Sequence, residues 1–358
     1  MPIMSSRHDH FPHADVARRL AIRRGVANLD AAWRSADTAP DGLLTAIAAL
    51  ADAPADVAIA RLLPWLSDTH WLRDRLDAAL ALLTADPFAR PPLRMVGGGD
   101  GGAGGLVLAD RGAIRLTLQL RPFTAKSAAS GSAVFVPGHA AIQVLDGGGA
   151  ELRAHGVAVS AAEEAGAFTA QGAALCRTQP PRPLRTGETL ILDTARQSFT
   201  LRGVRRDILY LELTVQPPSC LPIRAYDIES GRLTHVSASR RDSSFRQMAL
   251  TLLRQLGRTD AAPLFIAESA SEDFAARWNA MRELVVLDPA AARQPLARMG
   301  ASDPHPEVRA AAAATCGLIF PPSGETGREG GGGTGSCTSP APSAPEFSDK
   351  VADAPCPA

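Results

Sequence analysis

The hydrophobic pattern changes period twice along the chain. Over residues 14–92 Ala, Leu and Arg dominate, and apolar side chains recur at helical spacing through Leu20, Leu43, Ile47, Ile59, Leu62, Leu76 and Leu80. Asp15, Asp41 and Asp56 stand just ahead of these stretches, where a short polar side chain can cap a helix start, so about four helices are predicted. Pro91-Pro92 and the glycine-rich run 97–105 end the helical pattern, because neither residue continues a helix cheaply, and 93–105 reads as a linker. From Leu106 the period becomes two. Ile114, Leu116, Leu118 and Leu120 alternate with Arg115, Thr117, Gln119 and Arg121, as in a half-buried strand. Further short runs at 133–136, 141–145, 151–159, 190–192, 199–201 and 208–215 are separated by turns such as Asp146-Gly147-Gly148-Gly149. Their spacing predicts an antiparallel sandwich or barrel over 106–238.

After Pro217-Pro218 the helical period returns, and it repeats. Arg246-Gln-Met-Ala249, Arg277-Trp-Asn-Ala280 and Arg309-Ala-Ala-Ala312 hold one Arg-x-x-Ala register at intervals of 31 and 32 residues, and Pro263-Leu264 recurs 32 residues on as Pro295-Leu296. That period fits one antiparallel helix pair per repeat. Residues 239–320 resemble HEAT repeats, in particular the short type of phycobilin lyase-like proteins, through Asp303-Pro304-His305-Pro306-Glu307-Val308-Arg309-Ala310-Ala311-Ala312. The resemblance implies a protein-interaction surface and carries no lyase activity with it. Two or three units need neighbours to cover their ends, so the stack is expected to pack on the barrel or the N-terminal helices and leave one face for a partner.

The β region resembles a cupin, a small jelly roll. Ile142-Gln-Val-Leu-Asp-Gly147 looks like the strand and turn that close the family's first motif, and Gly187-Glu-Thr-Leu-Ile-Leu192 like the opening of its second. Many cupins hold a divalent metal with three histidines and a carboxylate. Counted from the two glycines, those positions fall on Val134, Val136, Ala140 and Ser198, none of which is an imidazole or carboxylate. No metal and no cofactor is therefore expected, and no catalytic residue is assigned. His139, beside Pro137-Gly138, reads either as an ordinary turn histidine or as a ligand-contacting group at the barrel mouth, with Gln143 and Ser198 as companions.

Charge and cysteine content narrow the function. Lys+Arg and Asp+Glu balance at 37 each, which leaves no electrostatic footprint for nucleic acid or an anionic membrane. No secretory leader and no apolar run of membrane-spanning length is seen, so a cytoplasmic protein is expected. The five cysteines are widely spaced without a C-x-x-C pair and read as free thiols. The glycine run 97–105 lacks the Gly-Lys-Ser/Thr ending of a phosphate loop, and His8, His10 and His13 read as part of a flexible leader, 1–13. Residues 321–358, rich in Gly, Pro, Ser and Thr, are expected to be disordered. Arg240, Arg241, Arg254 and Arg258 make the first repeat basic and are candidate contacts for an acidic partner, although a solvated helix face accounts for them too. Arg246, Arg277 and Arg309 read as an internal ladder to nearby Asp residues. The combined expectation is an α+β multidomain chain: a non-catalytic scaffold or regulatory protein that binds another protein through its HEAT-like surface, with room for a small molecule in a metal-free barrel. A cupin-type enzyme or a small-molecule-sensing regulator is the alternative.

Overall fold

The computed structural model describes residues 16–97, 103–123, 131–239 and 241–321. The leader, the tail beyond Pro321 and Arg240 lie outside the described residues.

Four helices open the chain: α1 (Val16–Thr38), α2 (Leu43–Ala48), α3 (Ala55–Ser67) and α4 (His70–Ala85). Asp41 and Asp56 do not cap them by side chain. Gly42 and Pro54 occupy the cap positions, and Asp56 lies in the first turn of α3, where its charge suits the helix dipole. Arg75 of α4 hydrogen-bonds Asp37 of α1 and lies over the rings of Trp33 and Trp71, fastening the two helices together.

The described strands that follow are β1 (Arg94–Gly97), β2 (Gly104–Arg111), β3 (Ile114–Arg121), β4 (Ser132–Phe135), β5 (His139–Asp146), β6 (Glu151–Gly156), β7 (Arg177–Thr178), β8 (Arg182–Pro183), β9 (Thr189–Asp193), β10 (Gln197–Arg202), β11 (Ile208–Val215), β12 (Ile223–Asp227) and β13 (Leu233–Ser237). The expected linker 93–105 thus contributes β1 and the start of β2, paired as a hairpin from Gly97↔Gly104 outward. One sheet runs β1-β2-β3-β11-β5-β9, a second runs β10-β6-β7 with β8 also on β6, and a third runs β13-β12-β4, with β4 alongside β10. Counting β3, β4, β5, β6, β7/β8, β9, β10 and β11 as strands one to eight, the large sheet holds 1-8-3-6 and the small one 2-7-4-5, the antiparallel double-wound order of a jelly roll. Gly148 makes the β5–β6 turn possible: its φ is +58°, and a Cβ there would meet Arg206 O at 2.4 Å.

The N-terminal helices have no core apart from the sheet. Leu43, Ile47, Ile59, Leu62 and Leu66 form one cluster with Ile114, Leu116, Leu118, Ala141, Leu211 and Leu213. One face of the large sheet is thereby covered by helices, with α3 lying across β5 and β11.

The C-terminal stack comprises α5 (Arg241–Gln255), α6 (Ala262–Glu268), α7 (Phe274–Leu287), α8 (Pro289–Ser302) and α9 (Pro306–Ile319). The helix pairs α5/α6 and α7/α8 are two repeats, and α9 opens a third. The Pro-Leu register falls at the start of α6 but inside α8, which begins six residues before Pro295. Asp273 and Asp288 cap α7 and α8, accepting backbone N–H bonds from Ala275 and Ala276, and from Ala291. The arginine register is an internal ladder of mixed acceptors. Arg277 pairs with buried Asp303 through two 2.9 Å bonds, Arg246 reaches Glu268 at 2.8 Å, and Arg309 donates to the carbonyls of Asp303 and Pro304.

The stack is seated on the barrel. His305 stacks on Phe274 with ring centroids 4.0 Å apart, and its Nε2 bonds the Phe168 carbonyl at 2.7 Å. That geometry fixes the proton on Nε2. The Glu307 carboxylate accepts the N–H groups of Ala170 (2.9 Å) and Gln171 (3.1 Å), and Phe274 joins an apolar cluster with Phe168, Ala195 and Leu221.

Candidate functional site in the barrel interior

Alternation along the strands decides which side chains enter the jelly roll. The helix-covered face takes Ile114, Leu116 and Leu118, so Arg115, Thr117, Gln119 and Arg121 point between the sheets. This reverses the ordinary assignment of a half-buried strand, because the apolar side is claimed by α2 and α3. Tyr210 and Glu212 on β11 and Ile142 and Val144 on β5 share the inward face. The register aligns Thr117, Glu212, Ile142 and Leu190 in one row, and Gln119, Tyr210 and Val144 in the next. The far end of the interior is apolar: Val144, Leu152, Leu184, Leu201 and Ile208 close it.

What remains is a polar group on the inward face of the large sheet, in the rows that also hold Val144 and Leu190. Gln119 Nε2 donates to Thr117 Oγ1 at 3.0 Å, and the Gln119 side chain also bonds the Glu212 carboxyl. Gly105 pairs with Gln119 on β2 and leaves it room, since a Cβ there would come 2.7 Å from Gln119 Oε1. Glu212 lies deep among protein atoms yet keeps some accessible surface. Burial pushes its carboxyl above the usual range, against the opposing hydrogen bond from Gln119. The Tyr210 phenol is pushed up by burial and then by Glu212, with Arg121 opposing. A carboxyl inclined to keep its proton, a phenol and an amide on one wall can donate to and accept from a polar ligand, or move a proton.

The sign of the Glu212 effect is testable. Its folded-state pKa is raised above the unfolded value, so its stabilising contribution is complete at low pH and is lost as pH rises from about 4.3 through the raised value. Glu212→Gln should flatten the decline of unfolding free energy above that pH, by at most about 1.4 kcal/mol per pH unit. Urea titrations at several pH values measure it, and an unchanged slope would mean a solvated carboxylate.

The residues singled out from sequence do not meet in this cleft. His139 and Gln143 share the parity of Ala141 and so lie on the outer face of β5, where the Gln143 amide bonds Gly187 O and Thr189. Ser198 has the opposite parity from Phe199 and Leu201, which pack inward. Ala140 faces inward as an alanine, and Val134 lies on the opposite face of β4 from buried Ala133 and Phe135. The side chains at the family's metal positions do not fit a metal. Among the described residues no group of three or more His, Cys, Asp or Glu gathers as a ligand set. Of the basic candidates, Arg254 is bonded to Glu283 and Arg258 to Asp260, while the Arg241 side chain lies outside the described residues. No described helix is long and apolar enough to cross a membrane.

Comparison with known proteins supports the helical-repeat reading of the C-terminal stack. A family model described as HEAT repeats matches residues 233–317. No curated protein matches the chain. Among solved structures, hydroxypropylphosphonic acid epoxidase from S. wedmorenis is similar at 9% identity and a TM-score of 0.24, over 34% of this chain and 55% of that one. A cupin domain from Bordetella pertussis is similar at 14% identity and a TM-score of 0.20, over 32% of this chain and 93% of that one. A protein with a double-stranded β-helix domain from Klebsiella pneumoniae is similar at 11% identity and a TM-score of 0.22, over 36% and 84%. The chain spans little more than half the length of the epoxidase, and likeness at this level says nothing of activity.

Proposed function

We propose that this chain is a non-catalytic binding protein whose HEAT-like stack recruits a partner protein through the outer face of α5. HEAT repeats suggest a protein-interaction surface, and one observation supports the outer face of α5 as that surface. Phe245, Met248 and Leu252 of α5, and Leu256 just past its end, follow one another at helical spacing and are 68%, 63%, 54% and 63% exposed, while Leu250 of α5 is buried in the stack. A row of large apolar side chains left in water on a helix that already has a core face marks a contact surface. Arg254 is committed to Glu283 within the stack, so the apolar row and not the arginines carries the contact.

The test is affinity purification from the native cell with Phe245→Asp/Leu252→Asp. The partner should be lost while unfolding free energy changes by less than about 0.5 kcal/mol per site, as for surface substitutions. Retention of the same partner by the double variant overturns the proposal.

A second reading, a small-molecule-sensing regulator, is favoured by the Glu212–Gln119–Thr117 group, because these polar side chains share the inward face of the large sheet. A metabolite that raises Tm in the wild type and not in Glu212→Gln supports it. The competing enzyme reading predicts a metal bound in stoichiometric amount in the native protein, or turnover that falls with Glu212→Gln.

A further inference from the structure

The face of the β10-β6-β7 sheet turned away from the barrel interior carries a second polar group that the cleft does not use. Its floor is His155, only 2% exposed, with Nδ1 2.9 Å from Thr178 Oγ1 and Nε2 2.9 Å from Thr200 Oγ1. Ser198 stands directly opposite His155 across the β10–β6 ladder, and Thr200 opposite Arg153. Arg202 follows Thr200 by two residues on the same face, which sets the two arginines diagonally across neighbouring strands.

Neither guanidinium has a bonded acceptor among the described residues. Arg153 and Arg202 have no side-chain hydrogen bond and no ion pair among the described residues, and the Nε of each is enclosed without an acceptor. Glu151 is opposite Arg202 in register, but it is exposed and forms no ion pair among the described residues. The imidazole registers the resulting field: burial first, then Arg153 and Arg202, hold His155 below its ordinary value. Diagonal positions on neighbouring strands lie about 7–8 Å apart, within reach of long side chains, so two arginine forks there can close on one anion. The hydroxyls add directed donors. A neutral imidazole has one N–H and one lone pair, so the threonine that accepts from the ring keeps its own O–H free to point outward, whichever tautomer is present.

We propose that this face is a phosphate-binding site, in which Arg153 and Arg202 grip the anion and the hydroxyls of Ser198 and of one His155-bonded threonine donate to it. A tetrahedral dianion matches two fork-shaped cations and donors rising from the sheet, whereas a planar carboxylate is saturated by one fork. The source is free phosphate or the phosphate of a small monoester.

Isothermal titration of the full-length protein at constant ionic strength tests the site, with inorganic phosphate and O-phosphoserine as probes and chloride as the reference. Saturable binding of either probe is expected, weakened at least tenfold by Arg153→Met and by Arg202→Met and unchanged by Arg185→Met on the β8–β9 loop. His155 imidazole resonances should move on phosphate addition in the wild type and stay fixed in the double variant, which circular dichroism must show to be folded. Tighter binding of the monoester than of inorganic phosphate assigns an esterified ligand. A response equal to that of chloride, or affinity retained in the folded double variant, overturns the proposal and leaves two solvated arginines.

Discussion

Asp303→Ala should destabilise the C-terminal stack by about 3–5 kcal/mol, the range for removing one partner of a buried ion pair. Arg277 and Asp303 expose 9% and 4% of their side chains and meet through two parallel hydrogen bonds. Asp303 also accepts the backbone N–H of His305, and Arg277 also donates to the carbonyls of Ser271 and Glu272. The alanine would strand a desolvated guanidinium and loosen the His305 turn that rests on Phe168. The cost should therefore appear twice, in urea denaturation of the stack and in faster hydrogen exchange at the Ala170 and Gln171 amides held by Glu307. A loss under 1 kcal/mol, or exchange confined to α7–α9, would show that the seam with the barrel does not depend on this pair. Arg277→Met/Asp303→Leu should recover much of the loss, because a well-packed apolar pair avoids the desolvation that the ions undergo.

Leu211→Ala is expected to cost about 2–5 kcal/mol, as for other fully buried leucines. Leu211 is 0% exposed at the centre of the large sheet, between β3 and β5, and belongs to the cluster shared with α2 and α3. Its loss should be felt in helices far away in sequence. Three of the four tryptophans, Trp33, Trp65 and Trp71, lie in the N-terminal helices, and both tyrosines, Tyr210 and Tyr226, lie in strands. In a Trp278→Phe background, tryptophan fluorescence therefore follows the helices, and near-ultraviolet circular dichroism carries the tyrosine signal of the strands. The two transitions should coincide and shift together in Leu211→Ala. Separate transitions, with only the tyrosine signal displaced, would mean that residues 16–85 fold as an independent unit.

The sequence was most legible where one physical requirement repeats. An arginine must reach the next turn at every helix pair, so Arg246, Arg277 and Arg309 announce the HEAT-like stack even though their acceptors differ. Short alternating runs likewise revealed the strands. Which side of each strand enters the barrel was not legible, because alternation is symmetric until a neighbour claims one face. Ile114, Leu116 and Leu118 were claimed by helices some fifty residues upstream, which sent Thr117 and Gln119 inward. The same limit explains Ser198: the counted spacing reaches β10, but one residue of parity separates the inward from the outward face. Glycine composition hid β1 and β2, although Gly105 is there to admit Gln119. The signal for the cleft was present in Leu209-Tyr210-Leu211-Glu212-Leu213, where a carboxylate occupies the middle of an otherwise apolar strand. Such a residue is a liability unless it is bonded, as Gln119 does here.

The contact between Glu307 and the amides of Ala170 and Gln171 joins residues more than 130 positions apart. During synthesis the barrel strands are complete by Val215, but the carboxylate that holds the β6–β7 connection leaves the ribosome nearly a hundred residues later. At five to twenty residues per second, that connection waits roughly 5–20 s without its clasp. Chains that stop before α9 should therefore yield a formed barrel with an open connection, cut by protease between Phe168 and Gly172 where the full-length chain resists.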